Sequence, residues 1–199
     1  MQNNSKFHKI IGIAGASRSG KDTLCRSLIR ILNEKYNIEA ERRSIAGDLI
    51  KKNLRSIIMN SVGIDSFTEN TEEKELIRPL LVEYGKLMRN NTKGRYFVEN
   101  FEVVKEKTLI IPDIRYAEYL KDEINWIRNE VNGYLIFLER ENIKDANETE
   151  KINNKKLKIF SNCCIRWGKL DENDKSDRKI IDDYSIKILN DIFQSTTSQ

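Results

Sequence analysis

The chain has 199 residues, of which 39% are hydrophobic and 33% are charged. This length suits one folded domain with insertions, and the apolar clusters along the chain argue against a disordered protein. Because the net charge of +4 is small and dispersed, we expect a small anionic substrate and not a nucleic-acid polymer as partner.

The sequence also argues against membrane, secreted and zinc-binding proteins. No apolar stretch is long enough to span a bilayer, and the polar segment Met1–Ser5 lacks the apolar centre of a signal peptide. Cys25, Cys163 and Cys164 form no disulfide or zinc-binding pattern, and His8, the only histidine, is expected to be solvated. We therefore expect a cytoplasmic protein without a membrane partner.

The first half of the chain begins with a strand, a loop and a helix. The apolar run Lys9–Ala14 predicts a buried parallel strand, and apolar residues at helical spacing predict a helix over Lys21–Lys35. Ile38–Ile45 is expected to be a second strand at a sheet edge, because charged residues interrupt it. Helical periodicity over Gly47–Met59 and Glu72–Met88 then predicts a mainly helical insertion.

The middle of the chain returns to alternating strands and helices. Thr108–Pro112 is the clearest central strand, and Tyr116–Glu130 is expected to be the helix after it, with Leu120 on the apolar face. Gly133–Leu138 predicts a further strand. This alternation predicts an α/β fold in which helices flank both faces of a parallel sheet.

The last third is more polar. Glu139–Lys158 is almost wholly charged or amide-bearing, so we expect it to add little to a core and to form either a solvated loop or a functional lid. Lys169–Lys179 is similarly polar and predicts a loop. Ile180–Phe193 is expected to be a closing helix, and Gln194–Gln199 a frayed tail.

A phosphate-binding loop is the strongest functional signal. The segment between the first strand and the first helix matches GxxxxGK and consists of Gly15, Ala16, Ser17, Arg18, Ser19, Gly20, Lys21, Asp22 and Thr23. Glycine allows backbone N–H groups to surround phosphate oxygens closely, and the helix N-terminus favours an anion. We expect these nine residues to bind ATP, with Lys21 reaching the β and γ phosphates.

A magnesium site is expected beside this loop. The strict motif has Ser or Thr directly after the lysine, but here Asp22 precedes Thr23, so either residue could meet Mg²⁺. Asp113 ends the apolar run Leu109–Pro112 and resembles a Walker B acid, which would hold Mg²⁺ or its water. A capping or turn role for Asp113 is the alternative.

Several segments together resemble the phage-type deoxynucleoside monophosphate kinases. The resemblance extends over about residues 9 to 140 and is found in Gly20–Thr23 (GKDT), Ala46–Lys51, Arg78–Gly85 with Arg89, and Pro112–Tyr116. It implies a P-loop kinase fold in a single domain of residues 1–199. It also implies a helical acceptor-binding insertion at about residues 46–100 and a lid at about residues 139–160.

The resemblance also implies roles for individual cations. Lys51, Arg78 and Arg89 would lie near the monophosphate of the acceptor, and Arg115 near the transferring group. Arg115 and Arg140 are expected to be catalytic together with Lys21, because fixed cations stabilise the charge on a moving phosphoryl group. For single residues, a surface ion pair is the alternative: Arg78 with Glu75, or Arg115 with Asp113.

The implied cofactors are ATP and Mg²⁺, and the implied partners are small-molecule nucleotide substrates. A homodimer is an oligomeric state that the sequence leaves open. Two other functions also stay open: a P-loop kinase for another phosphorylated metabolite, such as phosphomevalonate, and a nucleotide-binding regulatory module without turnover.

Overall fold

A computed structural model describes residues 10–104 and 106–197, with side chains up to Gln194. His8, predicted to be solvated, and Lys9, the first residue of the predicted first strand, lie outside these residues. Ser198 and Gln199 lie outside them as well. The chain divides into two compact units, one of residues 1–43 and 102–199 and the other of residues 44–101. None of the described helices is both long and apolar enough to cross a membrane.

The first unit contains one parallel sheet with the strand order β2-β3-β1-β4-β5. Its strands are β1 Ile10–Ala14, β2 Ala40–Arg42, β3 Thr108–Ile114, β4 Tyr134–Arg140 and β5 Cys163–Trp167. All five residues of β1 are buried, because this central strand is covered on both faces. β2 lies at an edge of the sheet, as its interrupting charges predict.

Helices cover both faces of this sheet. They are α1 Lys21–Tyr36, α5 Glu123–Asn125 continued by the π-helix Trp126–Glu130, α6 Glu148–Phe160 and α7 Lys175–Thr197. Helices α1 and α7 share one buried cluster with residues of β1 and β4, including Ile11 and Ile136. On the opposite face, Ile127 of the π-helix packs directly over Gly12 of β1. The predicted α/β P-loop fold, a parallel sheet flanked by helices, is confirmed.

The predicted polar segment at residues 139–158 is more ordered than its composition indicates. β4 continues to Arg140, and α6 occupies most of the remainder. Leu157 is completely buried, and Asn153 and Asn154 are buried as well. The expectation that this segment adds little to a core is therefore wrong, because α6 buries Leu157 together with two asparagines whose amides form hydrogen bonds.

Two predicted helices have different limits. After β3, a helix forms only from Glu123, where the Asp122 carboxylate accepts the N–H of Glu123 as an N-cap. Leu120, predicted on the apolar face, is 91% exposed. The closing helix α7 begins at Lys175, inside the predicted loop, and runs through most of the predicted tail to Thr197.

The second unit is helical, with α2 Gly47–Val62, α3 Thr71–Thr92 and α4 Arg95–Glu99. Asn70 caps α3 by accepting the N–H groups of Glu72 and Glu73, as its short polar side chain favours. A small core joins α2 and α3, made by Leu54, Ile58, Ile64 and Ile77, with Ile50, Leu81 and Tyr84 packed against it.

Candidate functional site

The glycine-rich loop turns tightly between β1 and α1. Gly15 and Gly20 have φ values of +142° and +98°, which side chains rarely adopt. The N–H of Ser19 donates to the carbonyl of Ala16 at 3.2 Å, which closes the turn. A Cβ on Gly15 would lie 2.2 Å from the carbonyl oxygen of Leu138 in β4. The loop therefore lies directly on the sheet, where only glycine fits at Gly15.

Gly15→Ala is expected to destabilise the protein by about 3 kcal/mol or more, because the new Cβ collides with backbone of β4. The matched control is Gly63→Ala at the end of α2, where φ is +71° and no atom lies within 4 Å of the added Cβ. That change adds only the backbone cost of about 1–2 kcal/mol. Urea unfolding of the two variants measures the difference, and equal losses would contradict this close packing.

Trp167 of β5 supports the loop from the adjacent side. Its Nε1–H donates to the carbonyl of Ser19 at 2.8 Å, and its ring lies 2.8 Å from the position of a Cβ on Gly20. Gly20 is the N-cap of α1 and supplies no side-chain cap. The first N–H groups of α1 are therefore left for a ligand, as in other helix N-termini that bind anions.

Lys21 is turned inward onto the loop. Its Nζ donates to the carbonyls of Gly15 at 2.8 Å and Ala16 at 2.6 Å. Burial, with a smaller effect from the nearby guanidinium of Arg115, lowers the pKa of Lys21 to about 8. The ammonium group thus keeps its proton at neutral pH and can serve as the loop's cation.

Other predicted charges gather around Lys21. The charges of Asp22, Asp113 and Arg115 all act on its pKa, so these side chains lie in the same electrostatic environment. Nη1 of Arg140, at the end of β4, donates to the carbonyl of Arg18 at 3.0 Å. The structure therefore brings Lys21 and Arg140 into contact with the glycine-rich loop and places Arg115 near enough to lower the pKa of Lys21.

Two buried polar atoms at the loop are unsatisfied. Among the described residues, Ser19 Oγ and Arg140 Nε are the buried side-chain nitrogen and oxygen atoms without a hydrogen-bond partner. Such atoms are rare in folded proteins, and one explanation for them is a ligand that completes their bonding. Arg140 Nε–H is a cationic donor and suits a phosphate oxygen.

Glu150 also reaches the loop, although sequence reasoning did not single it out. Its Oε1 accepts the backbone N–H of Ser17 at 2.8 Å, and its Oε2 accepts the N–H of Ala146. Asn147, the N-cap of α6, accepts the N–H of Glu150. An N-cap residue followed three positions later by Glu is a capping-box pattern. That pattern predicts the start of α6 but not the contact with Ser17.

The backbone that carries Arg115 is held by buried side chains. The Glu123 carboxylate, 1% exposed, accepts the N–H groups of Arg115 at 2.8 Å and Tyr116 at 3.1 Å. Asn153 of α6 accepts the N–H of Ala117 at 2.7 Å. The segment after β3 is therefore fixed without helical hydrogen bonds, which explains why the following helix begins only at Glu123.

The predicted magnesium ligands are side-chain oxygens of Asp22, Thr23 and Asp113. Within the described residues, no three His, Cys, Asp or Glu side chains form a metal-binding group. Mg²⁺ commonly takes one or two protein oxygens and completes its shell with substrate phosphates and water. Asp113 together with Asp22 or Thr23 fits that requirement. Asp22 currently pairs with Arg42 at 3.6 Å, and Thr23 Oγ1 accepts from Arg26 at 3.4 Å.

A cavity of about 530 Å³ borders the loop at Ala16, within the usual range for small-molecule sites. It lies at the carboxyl end of β4, where open α/β sheets bind ligands. Its lining carries more cations than acids: the cations are Arg140, Lys151, Lys155, Lys158 and Arg166, and the acids are Glu139, Glu141 and Asp145. A polyanion such as a nucleotide suits this environment.

The predicted acceptor ligands lie in the helical unit. Arg78 is exposed and pairs with Glu75 at 3.0 Å, the ion pair that the sequence left open. Lys51 lies 5.4 Å from the centre of the Phe67 ring. Arg89 is buried, with its guanidinium 5.5 Å from the centre of the Phe97 ring, so it also packs inside this unit. Their role in binding an acceptor stays a prediction.

Comparison with known proteins found likeness among solved structures alone. No family model matches the chain, and no curated protein matches it. Among solved structures, it is similar to dephospho-CoA kinase from Campylobacter jejuni, with 12% sequence identity and a TM-score of 0.41 over 94% of this chain and 98% of that chain. A likeness at this level gives no information on the substrate of the present chain.

Proposed function

We propose that this protein is an ATP-dependent kinase that transfers the γ-phosphoryl group to a deoxynucleoside monophosphate, forming ADP and a deoxynucleoside diphosphate. The observation that carries the phosphate-binding part of the proposal is the contact between the loop and a carboxylate. The N–H of Ser17 donates a hydrogen bond to a carboxylate oxygen of Glu150, which is 133 residues away in the chain. The loop thus already binds an anion through its backbone, as it would bind a phosphate.

The surrounding cations suit phosphoryl transfer. Lys21 begins α1 directly after the loop, whereas Arg115 follows β3 and Arg140 ends β4. Positive charges from three separate elements can neutralise donor and acceptor phosphates and stabilise the charge that spreads over the moving group. A phosphate oxygen of the acceptor is already a nucleophile, so no protein base is required in this scheme.

ATP and Mg²⁺ are the proposed cofactors. Asp113, with Asp22 or Thr23, would hold Mg²⁺, which supplies neutralising charge to the phosphates when it is bound. The cavity that begins at Ala16 would receive part of the donor nucleotide. Arg140 would then give its unpaired Nε–H to a phosphate oxygen.

The choice of a deoxynucleoside monophosphate as acceptor rests on the sequence resemblance. The segments Ala46–Lys51 and Arg78–Gly85, with Arg89, carry that resemblance in the helical unit. Lys51, Arg78 and Arg89 are proposed to bind the acceptor monophosphate, because a dianion requires cations in its site.

Arg78→Ala is expected to raise the acceptor KM by about tenfold while the ATP Kd stays unchanged, because the proposed contact is with the acceptor alone. Stability should change little, since an exposed pair such as Arg78–Glu75 contributes about 0–1 kcal/mol. Lys74→Ala is the matched control, because Lys74 lies on the same helix and also pairs with an acid, Glu69. Loss of ATP affinity in the Arg78 variant alone would assign this helix to the donor.

A panel of acceptors tests the proposed function. Deoxynucleoside monophosphates, ribonucleoside monophosphates and other phosphorylated metabolites are each incubated with ATP and Mg²⁺, and ADP is measured. We expect ADP formation with at least one deoxynucleoside monophosphate and none with the matching unphosphorylated deoxynucleoside. Turnover confined to a phosphorylated metabolite that is not a nucleotide would contradict the proposed acceptor, and ADP formation without any acceptor would indicate an ATPase.

A further inference from the structure

We propose that Glu150 is a built-in competitor of the nucleotide, which occupies the phosphate-binding loop of the empty enzyme and leaves when the phosphates of ATP arrive. This inference rests on the proposed function only in taking a polyphosphate as the ligand of the loop. The residue belongs to the first turn of α6, in the segment where the sequence predicts a lid. In this proposal, the hydrogen bond between Glu150 and the N–H of Ser17 is the contact that the lid makes with the loop when no nucleotide is bound.

The contact has the chemistry of a phosphate substitute. A carboxylate oxygen of Glu150 accepts the N–H of Ser17 at 2.8 Å, a backbone donor of the kind that this loop type offers to phosphate oxygens. The charge of Glu150 also acts on Lys21, whose ammonium is turned inward onto the carbonyls of Gly15 and Ala16. The N–H of Ser17 and the ammonium of Lys21 therefore both have hydrogen-bond acceptors within the protein itself.

The N–H of Ser17 cannot form a full hydrogen bond to the Glu150 carboxylate and to a phosphate oxygen at the same time. A phosphate oxygen bonded to the N–H of Ser17 would lie close to the Glu150 carboxylate, and two like charges at such a distance repel each other strongly. Binding of the polyphosphate and the contact between Glu150 and Ser17 thus oppose each other. By linkage, loss of the contact must strengthen polyphosphate binding.

The movement required is local, because the next turn of α6 is anchored elsewhere. Asn153 accepts the N–H of Ala117 at 2.7 Å and Lys156 donates to the carbonyl of Ala117 at 3.1 Å. Leu157 is completely buried. The Glu150 side chain can therefore turn away from Ser17 while α6 stays fixed to the unit and Asp145 keeps its 2.6 Å hydrogen bond from Asn154.

Glu150→Gln tests the proposal with inorganic pyrophosphate as the probe, which has no base and needs no acceptor. The variant keeps the shape of the side chain and an oxygen that can still accept the N–H of Ala146, but removes the charge. Calorimetric titration is expected to give a pyrophosphate Kd lower than that of the wild type by about fivefold or more. The control is Glu148→Gln, in the same helical turn, because Glu148 is exposed and pairs with Lys151 at 3.3 Å. It removes the same charge and should change the Kd by less than about twofold.

Amide hydrogen exchange at Ser17 provides a second readout. Without ligand, the Ser17 N–H should exchange faster in Glu150→Gln than in the wild type, and saturating pyrophosphate should make the two alike. An equal or weaker pyrophosphate affinity in Glu150→Gln, or equal effects of Glu148→Gln and Glu150→Gln, would overturn the competition.

The failure of this proposal can be distinguished from the failure of the proposed function. A tightening in Glu150→Gln together with no transfer to any monophosphate would refute the kinase proposal and leave the competition standing. Transfer to a monophosphate with unchanged pyrophosphate affinity in Glu150→Gln would support the kinase proposal and refute the competition. No binding of pyrophosphate by either protein would overturn the competition, and the acceptor panel would decide the proposed function by itself.

Discussion

Lys21→Ala is expected to lower kcat for phosphoryl transfer by on the order of 100-fold to 1,000-fold, because it removes a fixed cation from the transferring phosphates. The fold should survive the change. The ammonium of Lys21 is desolvated by burial, as its pKa of about 8 indicates, and its two acceptors are backbone carbonyls of the loop itself. The substitution therefore removes the desolvation penalty of the ammonium and breaks two local hydrogen bonds, and these two effects on the free energy of unfolding oppose each other.

The measurement is kcat with ATP and the best acceptor of the panel, together with the melting temperature. Lys35→Ala is the matched control, since Lys35 lies in the last turn of the same helix, far along α1 from the loop. Wild-type turnover in purified Lys21→Ala would remove the assignment of the phosphate-binding loop.

Arg115→Ala is expected to reduce kcat by a similar factor, about 100-fold to 1,000-fold, and Arg115→Lys should recover only part of it. Lysine keeps the charge but loses the forked donor geometry that binds two phosphate oxygens at once. The side chain is exposed, and its effect on the pKa of Lys21 indicates that it lies close to the loop. Its backbone is fixed by Glu123, so a changed side chain should leave the segment in place.

Arg30→Lys is the matched control for Arg115→Lys, because Arg30 of α1 pairs with Asp182 of α7 and not with a group of the loop. It should leave kcat unchanged. If Arg115 only forms a structural pair with Asp113, its variants will change the melting temperature and keep full activity, and the transfer site does not lie beside β3.

The glycine-rich turn between β1 and α1 could be predicted from the sequence because its constraints are local. Gly15 and Gly20 stand where the backbone has positive φ, and a lysine follows directly. The apolar runs of β1 and β3 are buried on both faces and give an equally local signal. These features required no knowledge of distant contacts.

The features that the sequence did not predict depend on partners far along the chain. β5 is a short edge strand of five residues, and the adjacent cysteines Cys163 and Cys164 obscure its alternation of buried and exposed residues. Trp167 gained its role from a hydrogen bond to Ser19, 148 residues away. Polar composition was also a poor guide in α6, where Asn153 is buried because it satisfies the backbone of Ala117. Composition counts polar residues but does not identify their partners.

The most direct test of the central claim follows the γ-phosphoryl group itself. ATP labelled in its γ-phosphate is incubated with the protein, Mg²⁺ and a mixture of deoxynucleoside monophosphates, and the products are separated. We expect the label to appear in a deoxynucleoside diphosphate in an amount equal to the ADP formed. Label found only in inorganic phosphate, or retained in ATP under every condition, would contradict the account of this protein as a nucleoside monophosphate kinase.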